Sequence, residues 1–198
     1  MLANILDRSG LTPGQQEGAL ATAEDPIAAK RRFLHFLTRL QGGVALVVGR
    51  RGTGKTSFCM FLGEFLGRPV KVVGVPQELL PDTWEAVTPE DVNRGLSDCV
   101  VIVDDSSLFF NAYDHGTQVS QGAHDLVDIT RHRNVLMIFN VQRTASLDRY
   151  IFADPDVIFM KPPSMMYLDG ERDDMKRKQE RAAAAFQAMD MSEWVEWV

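Results

Sequence analysis

Five consecutive apolar residues, Val44-Ala45-Leu46-Val47-Val48, run directly into Gly49-Arg50-Arg51-Gly52-Thr53-Gly54-Lys55-Thr56. This junction constrains the fold more than any other stretch. As a strand, the run has no polar face to turn to water, so it belongs in a sheet covered on both sides. Glycines at 49, 52 and 54 open backbone conformations that other residues rarely adopt. From Lys55 to about Leu66 the apolar spacing becomes helical. The alternation then continues. Val70 to Val75, Val100 to Val103, Val135 to Val141 and Val157 to Met160 read as strands. Helices are expected to start at Thr88-Pro89-Glu90-Asp91 and to run from about Ser120 to His132. Short apolar strands alternating with helices predict an α/β fold: a central, mostly parallel sheet with helices on both faces and right-handed crossovers.

Residues 49–56 match G-x-x-x-x-G-K-[ST] at every fixed position, between a strand and a helix. That pattern is a phosphate loop. Its backbone N–H groups can turn inward around an anion, and the following helix directs its positive end at the same point. Lys55 is expected to reach the β- and γ-phosphates of a nucleotide such as ATP. The Thr56 hydroxyl is expected to ligate Mg²⁺, which takes few protein ligands besides phosphate oxygens and water. The expected nucleotide-binding set is Gly49, Arg51, Gly52, Thr53, Gly54, Lys55, Thr56 and Ser57. Arg50 and Arg51 read equally as phosphate contacts or as solvated side chains.

A phosphate loop needs a partner carboxylate for its metal. Cys99-Val100-Val101-Ile102-Val103-Asp104-Asp105 is a buried strand ending in two of them, the form of a Walker B element. Asp104 is expected to hold the Mg²⁺ water shell beside Thr56, as the second residue of the metal site, and Asp105 to polarise the attacking water. A plain strand-end turn is the competing reading, because Asp and Ser favour turns. The fourth strand is expected to insert beside the phosphate-loop strand and ends Phe139-Asn140-Val141-Gln142-Arg143. There Gln142, or Asn140, fits a γ-phosphate sensor, with only one of the two expected to face the site. The fold class expected is a P-loop NTPase with an additional strand, and in this it resembles the RecA/FtsK-like type.

These elements, together with Ile129-Thr130-Arg131-His132-Arg133-Asn134 leading into the fourth strand and Gln142-Arg143 closing it, resemble the HerA/FtsK superfamily of DNA-translocating ATPases. The small size is most similar to the genome-packaging branch of membrane-containing viruses and poxviruses. The resemblance covers roughly residues 43 to 162. Asp-Asp in place of Asp-Glu departs from the cellular members. The resemblance implies a ring, commonly a hexamer, with double-stranded DNA in the pore and ATP between subunits. It also implies that a neighbour's arginine completes each site. Arg131, Arg133 and Arg149 are the candidates, with Arg143 behind them. A solvated last helical turn, where cations suit the dipole, competes for Arg131 and Arg133.

Composition narrows the remaining classes. The chain has 198 residues, 45% of them hydrophobic and 24% charged, which suits one globular domain and excludes wholesale disorder. Two cysteines make no disulfide framework and fit a cytoplasmic setting, the host's if the protein is viral, with association with the virion a further expectation. No window approaches the roughly 18–20 apolar residues of a membrane span, and Met1 to Leu6 lacks the features of a secretory signal. His115, His124 and His132 share no metal-ligand spacing with Cys59 or Cys99, both of which read as core. The net charge of −6 excludes a uniformly basic nucleic-acid binder. It leaves room for a motor that touches DNA through local clusters such as Lys30-Arg31-Arg32 and Arg131-His132-Arg133.

Residues 1–42 are expected to be an arm and a helix opened by Asp25-Pro26, 43–168 the ATPase core, and 169–198 a helical appendage and tail. The helix from Asp173 to Met189 is expected to be exposed. Trp194 and Trp197 in the tail suit docking onto a capsid or membrane protein, a neighbouring subunit, or the same domain. Phe109, Phe110 and Tyr113, in the connector after Asp105, read as packing at the sheet edge or as a DNA-contacting loop. The function expected is an ATP-driven translocase of double-stranded DNA. Alternatives are a small-molecule or nucleotide kinase, and a nucleotide-regulated assembly factor.

Overall fold

The computed structural model of the chain describes residues 26–104, 130, 132–142, 155–162 and 173–188. In chain order the elements are α1 (Pro26–Leu37), β1 (Gly43–Val48), α2 (Lys55–Phe65), β2 (Val70–Val73), a 3-10 turn (Gln77–Leu79), β3 (Trp84–Ala86), α3 (Pro89–Gly95), β4 (Val100–Val103), β5 (Leu136–Val141), β6 (Val157–Met160) and α4 (Asp173–Ala188). The strands form one sheet in the order β3-β2-β4-β5-β1-β6. Every pairing is parallel. β5 lies between β4 and β1, so the strand that leads into the phosphate loop and the strand that ends at Asp104 are separated by one inserted strand.

Alternation along the strands sorts the core onto two faces. Leu46, Val48, Val101, Val103, Met137 and Phe139 face one side and pack with Val92 of α3 and with Met175 and Ala182 of α4. Ala45, Val47, Val100, Ile102, Leu136 and Ile138 face the other, with Leu37 of α1 and Phe58, Cys59 and Leu62 of α2. The sheet is thus buried on both faces, as its apolar strands require. Each fully buried Val, Leu or Phe contributes roughly 1.5–3 kcal/mol.

Three elements differ from expectation. β3 is an additional edge strand, paired with β2 so that Val70 stands beside Trp84. Gln77 occupies part of its backbone: the side-chain amide donates to the Trp84 carbonyl at 2.9 Å and accepts from the Ala86 N–H at 2.7 Å. α1 begins at Pro26 but ends at Leu37, short of the boundary expected at residue 42. Its end tightens through bonds from the Arg39 N–H to the Phe36 carbonyl and from the Leu40 N–H to the Leu37 carbonyl. α4 is helical as expected, but it is not exposed all round. Met175, Gln179 and Ala182, one turn apart, are buried, and Phe186 packs on the same core. Alanine side chains are small enough to bring the helix close to the sheet, and too weakly apolar to announce that face.

Of the helix expected from about Ser120, only Thr130 and His132 are described, both helical. The N-terminal arm, the Phe109–Tyr113 connector and the Trp194–Trp197 tail lie outside the described residues. Among the described residues, no helix is long and apolar enough to cross a membrane.

Candidate active site

β1 ends at Val48 and α2 begins at Lys55, so the intervening loop must reverse within six residues. Gly52 and Gly54 achieve this at φ 78° and 71°, in the left-handed region. Gly49 is needed for a different reason. A β-carbon there would stand 2.7 Å from Cβ of Lys161, inside any tolerable contact. The loop is pinned to the chain leaving β6. The Lys161 N–H donates to the Val48 carbonyl at 2.8 Å, and the Arg50 N–H to the Pro162 carbonyl at 3.2 Å. The Arg50 carbonyl in turn accepts from Thr53 Oγ1 at 2.8 Å and from Lys55 Nζ at 3.0 Å.

Lys55 is only 6% exposed. Burial pulls its amine below the usual lysine range, and the neighbouring Cys59 and Asp104 oppose that shift in part. Lys161 was not anticipated as a neighbour of the site. Its amine lies 5.5 Å from the centre of the Phe58 ring, and burial lowers its pKa too. Its one sequence signal is a lysine directly after the last apolar strand. Cys59 and Cys99 are both buried thiols, as expected of core residues. Burial pushes Cys59 up to about 12.

Strand register assembles the rest. β4 and β5 pair with Val103 beside Phe139, so one residue further on Asp104 stands beside Asn140. Both positions carry the parity of the face covered by α2, and α2 presents Thr56 in its first turn. The contacts follow. Asn140 Nδ2 donates to Thr56 Oγ1 at 3.0 Å and to Asp104 Oδ1 at 2.8 Å. Hydrogen-bonded to one nitrogen, the hydroxyl and the carboxylate lie within about 6 Å of each other. Asn140 is 9% exposed, and its Oδ1 is buried with no hydrogen-bond partner among the described residues.

Gln142 lies just past the end of β5 and is exposed. Residues two apart share a strand face, so alternation alone does not separate it from Asn140; the end of the strand at Val141 does. Arg51 and Ser57 are exposed, and Thr53 is partly buried. Arg133 is at the opposite end of the sheet. It precedes β5, packs its guanidinium against Gly95 and is exposed. The length of β5 puts it about 20 Å from Asn140, so it does not reach the phosphate loop of its own chain. Asp105, Arg131, Arg143 and Arg149 lie outside the described residues.

The oxygen donors suit Mg²⁺. Thr56 supplies a hydroxyl, Asp104 a carboxylate, and Asn140 a buried carbonyl oxygen still open to a donor. A hard cation that keeps several waters needs no more from the protein. Among the described residues, no group of three or more His, Cys, Asp or Glu could hold a metal by itself.

Comparison with known proteins bears on the fold. No protein-family model and no curated protein matches the chain. Solved structures do. B204, the DNA-packaging ATPase of Sulfolobus turreted icosahedral virus, is 14% identical and matches with a TM-score of 0.51, over 75% of this chain and 88% of that one. The genome-packaging NTPase B204 of Sulfolobus turreted icosahedral virus 2, in complex with AMPPCP, is 15% identical with a TM-score of 0.51, over 76% and 88%. Its sulfate complex is 12% identical with a TM-score of 0.50, over 70% and 86%. The chain therefore has the fold of a P-loop NTPase, and the resemblance to a genome-packaging ATPase expected from the sequence is met at the level of fold.

Proposed function

We propose that the chain is an ATPase motor that translocates double-stranded DNA in viral genome packaging, with residues 43–168 as its core. The observation that carries the ATPase reading is the bracket of Thr56, Asn140 and Asp104 below the phosphate loop. The inserted strand β5 creates it, because its carboxyl end sets the Asn140 side chain between those of β1 and β4. The fold shared with B204 supports the packaging reading.

In this reading the loop N–H groups and Lys55 bind the β- and γ-phosphates. Thr56 and Asp104 hold Mg²⁺, which when bound neutralises charge on the phosphate oxygens. Asp105 orients a water for in-line attack on the γ-phosphorus. The new P–O bond forms as the bond to the bridging oxygen breaks, giving ADP and phosphate. Arg133 is too far along β5 to serve its own site, which supports action on a neighbour's; Arg131 and Arg149 are held with it as candidates. Subunits form a ring around DNA, and the tail carrying Trp194 and Trp197 docks on a capsid or membrane protein. The setting is the host cytoplasm or the virion.

The test is ATP turnover with and without double-stranded DNA, together with the oligomeric mass. DNA-stimulated hydrolysis by a ring is expected, abolished by Lys55→Ala and by Asp105→Asn. Wild-type turnover in Asp105→Asn would remove Asp105 from catalysis. A monomer indifferent to DNA but stimulated by a small acceptor would identify a kinase instead, and nucleotide binding with negligible turnover an assembly factor.

A further inference from the structure

We infer that Asn140 is an outer-shell ligand of the metal and not a reader of the γ-phosphate. Its carbonyl oxygen accepts a hydrogen bond from a water on the Mg²⁺ held by Thr56 and Asp104, while its amide nitrogen fixes the spacing of those two groups. This rests on the nucleotide-site reading above.

The orientation of the amide follows from chemistry. An ionised carboxylate only accepts hydrogen bonds, so the Asn140 atom 2.8 Å from Asp104 Oδ1 is the nitrogen. That nitrogen has two protons. One goes to Asp104 and the other to Thr56 Oγ1. The Thr56 oxygen keeps a second lone pair for a cation. Both donors of Asn140 are thus committed, and only Oδ1 remains. A carbonyl oxygen and a phosphate oxygen are both acceptors, so Oδ1 cannot bind the γ-phosphate. It needs a donor, and a buried acceptor without one is costly. The buried Lys55 ammonium donates to the Arg50 carbonyl. Water polarised by a cation held at Thr56 and Asp104, the two groups that Asn140 Nδ2 contacts, would be a strong donor to Oδ1. Outer-shell partners of this kind orient the inner ligands and tune metal affinity.

The test compares the full-length wild type with Asn140→Ala. Affinities for ATP and ADP are measured with a fluorescent analogue in chelator, and Mn²⁺ affinity of the nucleotide complex by electron paramagnetic resonance. The expected result is metal-free affinity within about 3-fold of wild type for both nucleotides, with Mn²⁺ affinity weakened about 10- to 100-fold. Preferential loss of ATP over ADP in chelator would make Asn140 a γ-phosphate sensor and overturn the inference. Unchanged Mn²⁺ affinity would leave it a structural bracket and also overturn it. If the wild type bound neither nucleotide in chelator nor in Mg²⁺, the nucleotide-site reading itself would fall, and this inference with it. Should Asn140→Ala not fold, Asn140→Asp supplies a second readout. It keeps an acceptor oxygen but sets a carboxylate against Asp104. Its Tm is expected to drop without metal and to recover on adding Mg²⁺ by more than the wild type gains. An equal Mg²⁺ response in the two proteins would count against a metal beside residue 140.

Discussion

In the proposed reading, Lys55 is buried for the sake of a ligand rather than of the fold. Its amine donates to the Arg50 carbonyl, and that carbonyl also accepts from Thr53 Oγ1. Removing the amine therefore leaves no orphaned acceptor. Burial lowers the folded-state pKa below the unfolded value. Between those two values the unfolded chain binds more protons, so stability from this group rises as pH climbs through the folded pKa, and near neutrality the buried charge is a net cost. Lys55→Met is expected to melt at or above the wild-type temperature without nucleotide. It should also lose the rise that MgATP gives the wild type, a stabilisation of about 2.7 kcal/mol at one hundred times Kd. Thermal melts with and without MgATP check both. A variant that melted well below the wild type would show instead that the amine is a structural tie of the loop.

At the scale of elements, α3 was the most legible helix, since its signals are local. Thr88 caps it and Pro89 opens it. Asp91 completes a capping box, accepting from the Thr88 N–H at 3.0 Å while the Thr88 hydroxyl accepts from the Asp91 N–H at 3.2 Å. Thr88→Ala is expected to destabilise the chain by about 1 kcal/mol in urea unfolding near neutral pH. The Thr88 backbone N–H and hydroxyl hold the Asp91 carboxyl below its ordinary range. Its contribution is thus present above the usual carboxylate pKa and lost as pH falls through the lowered folded value. The gap between wild type and Thr88→Ala should accordingly shrink below about pH 4; a gap independent of pH would mean that the carboxylate plays no part in the cap. The central strands were legible for a similar reason: apolar on both faces, each declares its burial without help from distant residues. β3 was not, because three residues with one large apolar side chain make no pattern. Its place depends on Trp84 lying over Gly63, where a β-carbon would come within 3.2 Å of the ring. The partnership of Asp104 with Asn140 was only half legible. Each ends a strand in plain view, but their adjacency requires the parallel register between β4 and β5.

At the scale of the molecule, a parallel sheet gives its two ends different tasks. The phosphate loop, Asp104 and Asn140 gather at the carboxyl ends of β1, β4 and β5, where ligands bind in open α/β sheets. Arg133 stands at the amino end of β5 beside Gly95 and Asp98, whose N–H donates to the Arg133 carbonyl at 3.0 Å. One copy therefore holds both halves of the proposed catalytic centre, about 20 Å apart, and the proposed ring, if head-to-tail through these ends, would bring them together between neighbouring copies. This makes a complementation experiment decisive. Lys55→Met and Arg133→Ala are each expected to be inactive alone. In an equimolar co-assembled ring, about a quarter of the interfaces pair an intact phosphate loop from one variant with an intact arginine from the other. Turnover should return to a comparable fraction of wild type, since an arginine of this kind is worth 10³–10⁵ in rate. If Arg133 worked within its own subunit, every site in the mixture would lack one half. Failure of a verified mixed ring to recover activity would then exclude action in trans. Robust turnover by Arg133→Ala alone would pass the role to Arg131 or Arg149.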